Sequence, residues 1–302
     1  MVFFIKAKHS SRRMTIKHLV FSGGGPIMIQ ILAALQELEA KDFLHMSNIE
    51  TIYGTSAGAI VATLIALKFD WDTINDYIIK RPWQDVFPIH ITHILDSYGK
   101  RGIFDHKTVE KCFKPLLDAK DIPIHISLLD FYHYSNIEIH MFAFDINQYK
   151  TIDISHVTFP ELPLLTAIQM SCALPVLMSP VCMNNMCIMD GGVACNYPLN
   201  HCIESGKKTD EILGFKNKYS NAITQTIINE ESTLFDYILG FMYKAIFRMS
   251  TDDQYTIEYE VECDTSYITI ELLQNALSNV EVRRELFDKG ISTAQTFLQN
   301  RI

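Results

Sequence analysis

Three short stretches hold residues whose types and spacing could do chemistry. In Gly54-Thr55-Ser56-Ala57-Gly58 a serine sits between an apolar, β-branched run (Ile49 to Tyr53) and an uncharged helical pattern (Ala59 to Leu67). Gly-x-Ser-x-Gly between a strand and a helix is the pattern of a nucleophile elbow, a turn so sharp that the serine is left projecting. Gly54 and Gly58 are expected to supply backbone freedom and clearance. Ser56 would then stand at a helix N-terminus, where amides and the dipole favour developing negative charge. A connection that merely contains Ser has the same pattern.

The second stretch is Gly23-Gly24-Gly25, between a strand at Ile16 to Phe21 and a helix at Ile27 to Lys41. Three consecutive glycines offer approachable amides, as an oxyanion hole or a phosphate cradle requires. The dinucleotide fingerprint fails because position 28 is Met, and no Gly-Lys-Ser/Thr follows for a nucleotide loop. In the third stretch, a short strand at Cys187 to Met189 delivers Asp190-Gly191-Gly192. A carboxylate at the C-terminal end of a strand lies at the sheet rim, where α/β sites form. A plain Asp-Gly turn is the alternative.

The elements that must position these groups alternate between strand and helix. Pro26 occupies the first helical position, where a missing N–H costs nothing. Asp70 to Tyr98 is rich in aromatic residues and reads as packed helix and loop, or as a cap. Gly102-Ile103-Phe104-Asp105 starts a helix, with Asp105 capping His106 to Leu117. Strands are expected at Ile137 to Asp145, Thr151 to Ile154, Glu211 to Phe215 and Tyr267 to Ile270. Helices are expected at Leu162 to Leu174, ended by Pro175, and at Val280 to Gln299. The alternation predicts an α/β fold, a single domain with a central, mostly parallel sheet flanked by helices. It would cover residues 16–302 behind a tail at 1–15, with the motifs within about 17–200 and further strands and helices over 201–302.

With 48% hydrophobic and 20% charged residues in 302, the chain can bury a sizeable core and does not read as disordered. A formal net charge of −9 argues against nucleic acid as a partner and gives no broad attraction to anionic membranes. The basic residues Lys6, Lys8, Arg12 and Arg13 read as a solvated tail. The N-terminus places apolar before basic residues, the reverse of a secretory signal, and no apolar stretch reaches the roughly 20 residues of a membrane span. The longest, Leu234 to Phe247, is interrupted by Asp236 and Lys244 and reads as a core or subunit-interface helix. Seven cysteines without paired short spacings predict reduced, mostly buried thiols in an intracellular or cytoplasmic protein, with no metal site.

Taken together, Gly23-Gly24-Gly25, Gly54-x-Ser56-x-Gly58 and Asp190-Gly191-Gly192 resemble the patatin-like phospholipase family. Gly102 to Asp105 is similar to that family's Gly-Leu-Phe-Asp segment, Leu165 to Pro180 to its helix-to-proline segment, and Asn196-Tyr197-Pro198 to its Asn-x-Pro. The likeness covers roughly Lys17 to Asn200. It implies a Ser-Asp dyad, with Ser56 attacking an ester carbonyl, Asp190 accepting its proton and the amides of Gly23, Gly24 and Gly25 forming the oxyanion hole. It implies a lipid acyl hydrolase working through an acyl-enzyme, without calcium or another cofactor, that docks transiently on a membrane or micelle. A carboxylate serves as base for a hydroxyl when partial burial raises its pKa, so an apolar surround is expected for Asp190. Pro26-Ile27-Met28 departs from the family's usual small residue, Lys or Arg, and Gly, removing a possible anchor for an anionic head group.

Two other readings fit the residues. A Ser-His-Asp esterase would use His201, the histidine that follows Asp190 in the chain. A lipid- or protein-binding module could keep the fold with the altered glycine loop and without efficient catalysis. Hydrolysis and acyl transfer to an alcohol share one acyl-enzyme and are not separated by sequence.

Overall fold

The computed structural model describes residues 15–88, 99–219, 228–249, 254–265 and 270–301. The expected tail falls outside them up to residue 14. Its centre is a sheet in which five strands run parallel in the order β10 (Tyr259–Thr265), β9 (Ile212–Tyr219), β1 (His18–Phe21), β2 (Thr51–Thr55), β4 (Glu138–Asp145). Beyond them the sheet is mixed. β5 (Lys150–Ile154) and β8 (Met186–Asp190) run antiparallel to β4, and β7 (Val181–Met183) pairs with β8. A separate parallel pair joins β3 (Gly102–Phe104) to β6 (Val176–Met178).

The strands alternate in a way that buries both faces. Leu19, Phe21, Ile52, Met141, Ala143 and Leu213 join the larger core. Val20, Tyr53, Phe142 and Ile212, their neighbours on the same strands, join a second cluster with Leu199 and Cys202. Two-sided burial suits parallel strands covered by helices. On the larger side lie α1 (Met28–Ala40), α2 (Ala57–Ala66) and the terminal helix Val280–Gln299. That helix approaches α1 closely at Gly290, where a Cβ would lie 2.3 Å from the Gln30 carbonyl oxygen.

Register decides where the site forms. Phe142 pairs with Thr55 of β2 and with Asp153 of β5, while Ala143 pairs with Ile152 of β5 and with Asp190 of β8. β2 and β8 therefore share the edge of β4 opposite β5. β2 follows that edge as far as Phe142 and turns away; β8 occupies it from Asp145 back to Ala143. Ser56 and Asp190 meet where the two strands abut. The carboxylate was expected at the strand's C-terminal rim, and it reaches that rim on an antiparallel strand.

Some expected elements differ. Gly102–Phe104 is a strand rather than a helix start; the helix begins at His106, with the Asp105 side chain accepting from the Lys107 amide. Of the expected strand Tyr267 to Ile270, 267–269 lie outside the described residues and Ile270 opens a helix; a strand that was not expected forms at Tyr259–Thr265. Alternating acidic residues obscured it: Val261 and Cys263 are buried, while Glu262 pairs outward with Lys218 at 2.7 Å. On the helix Leu234–Met249, Leu234, Tyr237 and Phe241 are 69, 59 and 69% exposed, so the face they form lies outside the core. The aromatic segment after Asp70 packs as helices Trp71–Lys80 and Trp83–Val86, with 89–98 outside the described residues. Among the described residues no helix is long and apolar enough to cross a membrane.

Candidate active site

Ser56 follows directly on β2 and precedes α2, with φ 53 and ψ −117. That conformation is costly for a residue with a side chain and is retained only when its surroundings impose it. Gly54 and Gly58 do not carry the unusual dihedral; they make room for it. A Cβ on Gly54 would lie 2.5 Å from the Gly58 carbonyl, and one on Gly58 would lie 2.5 Å from the Phe21 carbonyl oxygen. The freedom expected of the glycines is borne by the serine, and the clearance is theirs. The Ser56 amide donates to Ser171 Oγ at 2.9 Å, and Ser171 Oγ donates to the Phe142 carbonyl at 2.7 Å.

Asp190 ends β8 and is 4% exposed. Burial pushes its carboxyl up to about 6, while the nearby Ser56 hydroxyl and the Gly192 amide pull the other way. The Gly192 amide donates to Oδ1 at 2.8 Å. Gly191 lets the turn after Asp190 lie on β4, since a Cβ there would sit 2.3 Å from the Phe142 carbonyl oxygen. The half-buried Cys172 thiol beside Ser56 is pushed well above its usual range by desolvation, so it stays protonated near Asp190.

The glycine loop leaves β1 on the neighbouring row. Phe21 pairs with Gly54, so Gly23 arrives beside Ser56; a Cβ on Gly23 would be 3.1 Å from Ser56 Cβ. Its amide is already engaged, donating to the Asn196 carbonyl at 3.0 Å. That removes Gly23 from the three expected oxyanion donors. Its neighbours Gly24 and Gly25, at φ 152 and 59, make no hydrogen bond through their amides among the described residues. Asn217 Nδ2 donates to the Gly23 carbonyl at 2.5 Å and Ser22 Oγ to Asn217 Oδ1 at 2.7 Å. Where the family carries a cation, Ile27 is buried against the loop, and Met28 lines the cavity beside it.

Sequence reading missed Ser171, Asn217 and Tyr219, whose hydroxyl lies within reach of both Asn217 and Asn196. A signal existed for Asn217: β9 is parallel to β1 with Phe215 opposite Phe21, so two residues further along each strand bring Asn217 to Gly23. His201, by contrast, packs on the Phe142 ring at 4.6 Å with Nδ1 3.5 Å from Cys195 Sγ, and it does not line the cavity that holds Ser56 and Asp190.

That cavity has a volume of about 270 Å³. Ser56, Asp190, the glycine loop and Asn196 form its polar end; the remainder is largely apolar, with Ile60, Trp83, Phe104, Phe113 and Leu177 among its walls. Such a shape admits a hydrocarbon chain and leaves a carbonyl at the polar end. Among the described residues no group of three or more His, Cys, Asp and Glu side chains is placed to hold a metal ion.

The model of the patatin-like phospholipase family matches residues 19–203. The chain is similar to "Probable lipid hydrolase 463L" of Invertebrate iridescent virus 6, 25% identical over 68% of this chain and 71% of that protein. It is 27% identical to the uncharacterised protein R571 of Acanthamoeba polyphaga mimivirus, over 61% of this chain and 60% of that one. Among solved structures VipD from Legionella pneumophila shares the fold, with a TM-score of 0.55 and 17% identity over 94% of this chain and 67% of VipD. With the family match spanning more than half of its length and all three expected motifs inside it, the chain belongs to the patatin-like phospholipase family.

Proposed function

We propose that the protein is a serine lipid acyl hydrolase that cleaves carboxylic esters of lipids, phospholipids included, through Ser56 and Asp190. One observation carries the reading: a buried carboxylate with a raised pKa stands beside a serine in a strained elbow, at the end of an apolar cavity. A serine hydroxyl becomes a useful nucleophile when an adjacent base takes its proton. Asp190 takes it as Ser56 Oγ attacks the carbonyl carbon, and the amides of Gly24 and Gly25 receive the oxyanion, each such donor being worth ~3 kcal/mol of barrier. Collapse expels the alcohol, which recovers the proton from Asp190 and leaves an acyl ester on Ser56. Water repeats the sequence and frees the acid, with the acyl chain held in the cavity throughout.

The base and the donors come from the chain itself, so turnover is expected to survive EDTA. A long-chain substrate brings the protein to a membrane or micelle, to be measured by co-sedimentation with liposomes.

The test is a burst assay with p-nitrophenyl esters, then phospholipid vesicles, on wild type, Ser56→Ala and Asp190→Asn. The reading expects a burst in wild type and none in either variant. Equal background in all three folded proteins would move the assignment to a binding module. Loss of turnover in His201→Ala with most activity kept in Asp190→Asn would overturn the dyad.

A further inference from the structure

Cys182 and Cys187 face each other across the β7–β8 hairpin, whose two-residue turn Asn184-Asn185 has φ 49 and 62. Positive φ at both turn residues is the geometry that matches the twist of two-residue hairpins and fixes their register. Cys187 turns its backbone away from Cys182: its amide donates to Asp145 Oδ1 at 3.1 Å and its carbonyl accepts from Ile146 N at 3.0 Å. The two cysteines thus form a non-hydrogen-bonded antiparallel pair. In such pairs the Cα atoms are about 4.5 Å apart, inside the span a disulfide bridges. Their sulfurs are 2.7 Å apart as free thiols.

The two thiols differ in exposure and surroundings. Cys182 is exposed, and Arg101 Nη1 lies 3.5 Å from its sulfur, placing positive charge where a thiolate would form. Cys187 is less accessible, and burial pushes its thiol up to about 11. We propose that Cys182 and Cys187 are a thiol–disulfide exchange site that takes a small-molecule disulfide such as oxidised glutathione and closes reversibly to a cross-strand disulfide. Cys182, as thiolate, attacks one sulfur of the small disulfide and expels a thiolate, which takes up a proton. Cys187 then loses its proton to solvent and attacks the Cys182 sulfur of the mixed disulfide, expelling the second thiol. The protein dithiol loses two electrons and two protons, and the small disulfide becomes two thiols. The bridge would brace the hairpin whose second strand ends at Asp190.

The test uses the full chain, fully reduced, incubated with oxidised glutathione, quenched with acid and read by intact mass, peptide mapping and thiol titration under denaturing conditions. Wild type is expected to fall from seven titratable thiols to five, without a retained glutathione adduct and with the peptides bearing Cys182 and Cys187 linked. Cys187→Ser should hold glutathione stably on Cys182, and Cys182→Ser should react at least tenfold more slowly than wild type. A wild type that keeps all seven thiols, or that accumulates the Cys182 adduct as Cys187→Ser does, overturns the proposal. So does a Cys182→Ser variant that reacts at the wild-type rate.

Discussion

The amide of Ser56 is tied to the hydroxyl of Ser171 at 2.9 Å, and through it to the carbonyl of Phe142 at 2.7 Å. Phe142 is the β4 residue opposite Thr55, the last residue of β2 and the one before Ser56. One buried hydroxyl therefore fastens a strained turn to the central strand at the row where the site forms. Ser171→Ala leaves a buried amide and carbonyl unpaired, at a cost of roughly 1–3 kcal/mol. The expected outcome is a lower Tm and a fall of about tenfold or more in kcat with little change in KM, since the elbow shifts while the cavity is intact. Steady-state kinetics beside thermal melts check this; wild-type kcat in Ser171→Ala would show that the elbow holds itself.

The raised Asp190 carboxyl makes two predictions of opposite sense with pH. As the proposed base it must be ionised, so kcat/KM should rise with pH through about 6 and level off above it. For stability the folded state holds the proton more tightly than the unfolded chain. The contribution is fully present below the ordinary carboxylate range and is lost as pH climbs through about 6. Asp190→Asn removes the burial cost of the charge, so at pH 8 it should be more stable than wild type by roughly 1–3 kcal/mol, with the gap closing near pH 4. Melting curves at the two pH values test the sign directly.

The three motifs were legible because each is local, and so were most strands and helices, because their apolar periods are local too. What joins the motifs was not. That β2 and β8 share one edge of β4 depends on pairings at Phe142 and Ala143, far from both motifs in the chain. Asn217 reaches Gly23 across 194 positions and belongs to no pattern. The engaged Gly23 amide was hidden for the same reason, because its acceptor is a backbone carbonyl at Asn196. Glycine spacing read as a demand for unusual dihedrals at 54 and 58; the sequence cannot tell that demand from steric clearance, and the structure puts the dihedral on Ser56.

Clearance at Gly58 gives a separable prediction. A methyl group there meets the Phe21 carbonyl oxygen at 2.5 Å and Phe21 Cβ at 2.9 Å, so α2 must move off β1. Alanine gains up to about 1 kcal/mol of helix propensity over glycine. Overpacking against backbone works against it by typically 1–3 kcal/mol or more, leaving Gly58→Ala net destabilised. Gly99→Ala, with nothing within 4 Å of the new methyl among the described residues, is the matched control and should melt like wild type. Denaturant titration of both separates a clash from a generic glycine effect.

Arg283 lines the cavity, and it is 2% exposed. Its guanidinium donates to the carbonyls of Ile79 and Arg81 at the end of the helix Trp71–Lys80, and to those of Ala276 and Leu277 at the end of Ile270–Ser278, at 2.8 to 3.2 Å. Two helix C-termini, each carrying partial negative charge, stand in for a carboxylate partner. Arg283→Met should orphan those carbonyls and cost about 3 kcal/mol or more. Arg283→Lys should recover little of it, because a single ammonium cannot reproduce a fork that spans both helix ends. The same two helices carry Ile78, Leu273 and Ala276 of the cavity lining, so a folded Arg283→Lys should also broaden the preference for acyl-chain length. A chain-length series of p-nitrophenyl esters measures that alongside the melts; an unchanged profile with an unchanged Tm would show that the two helix ends stay in place without the guanidinium.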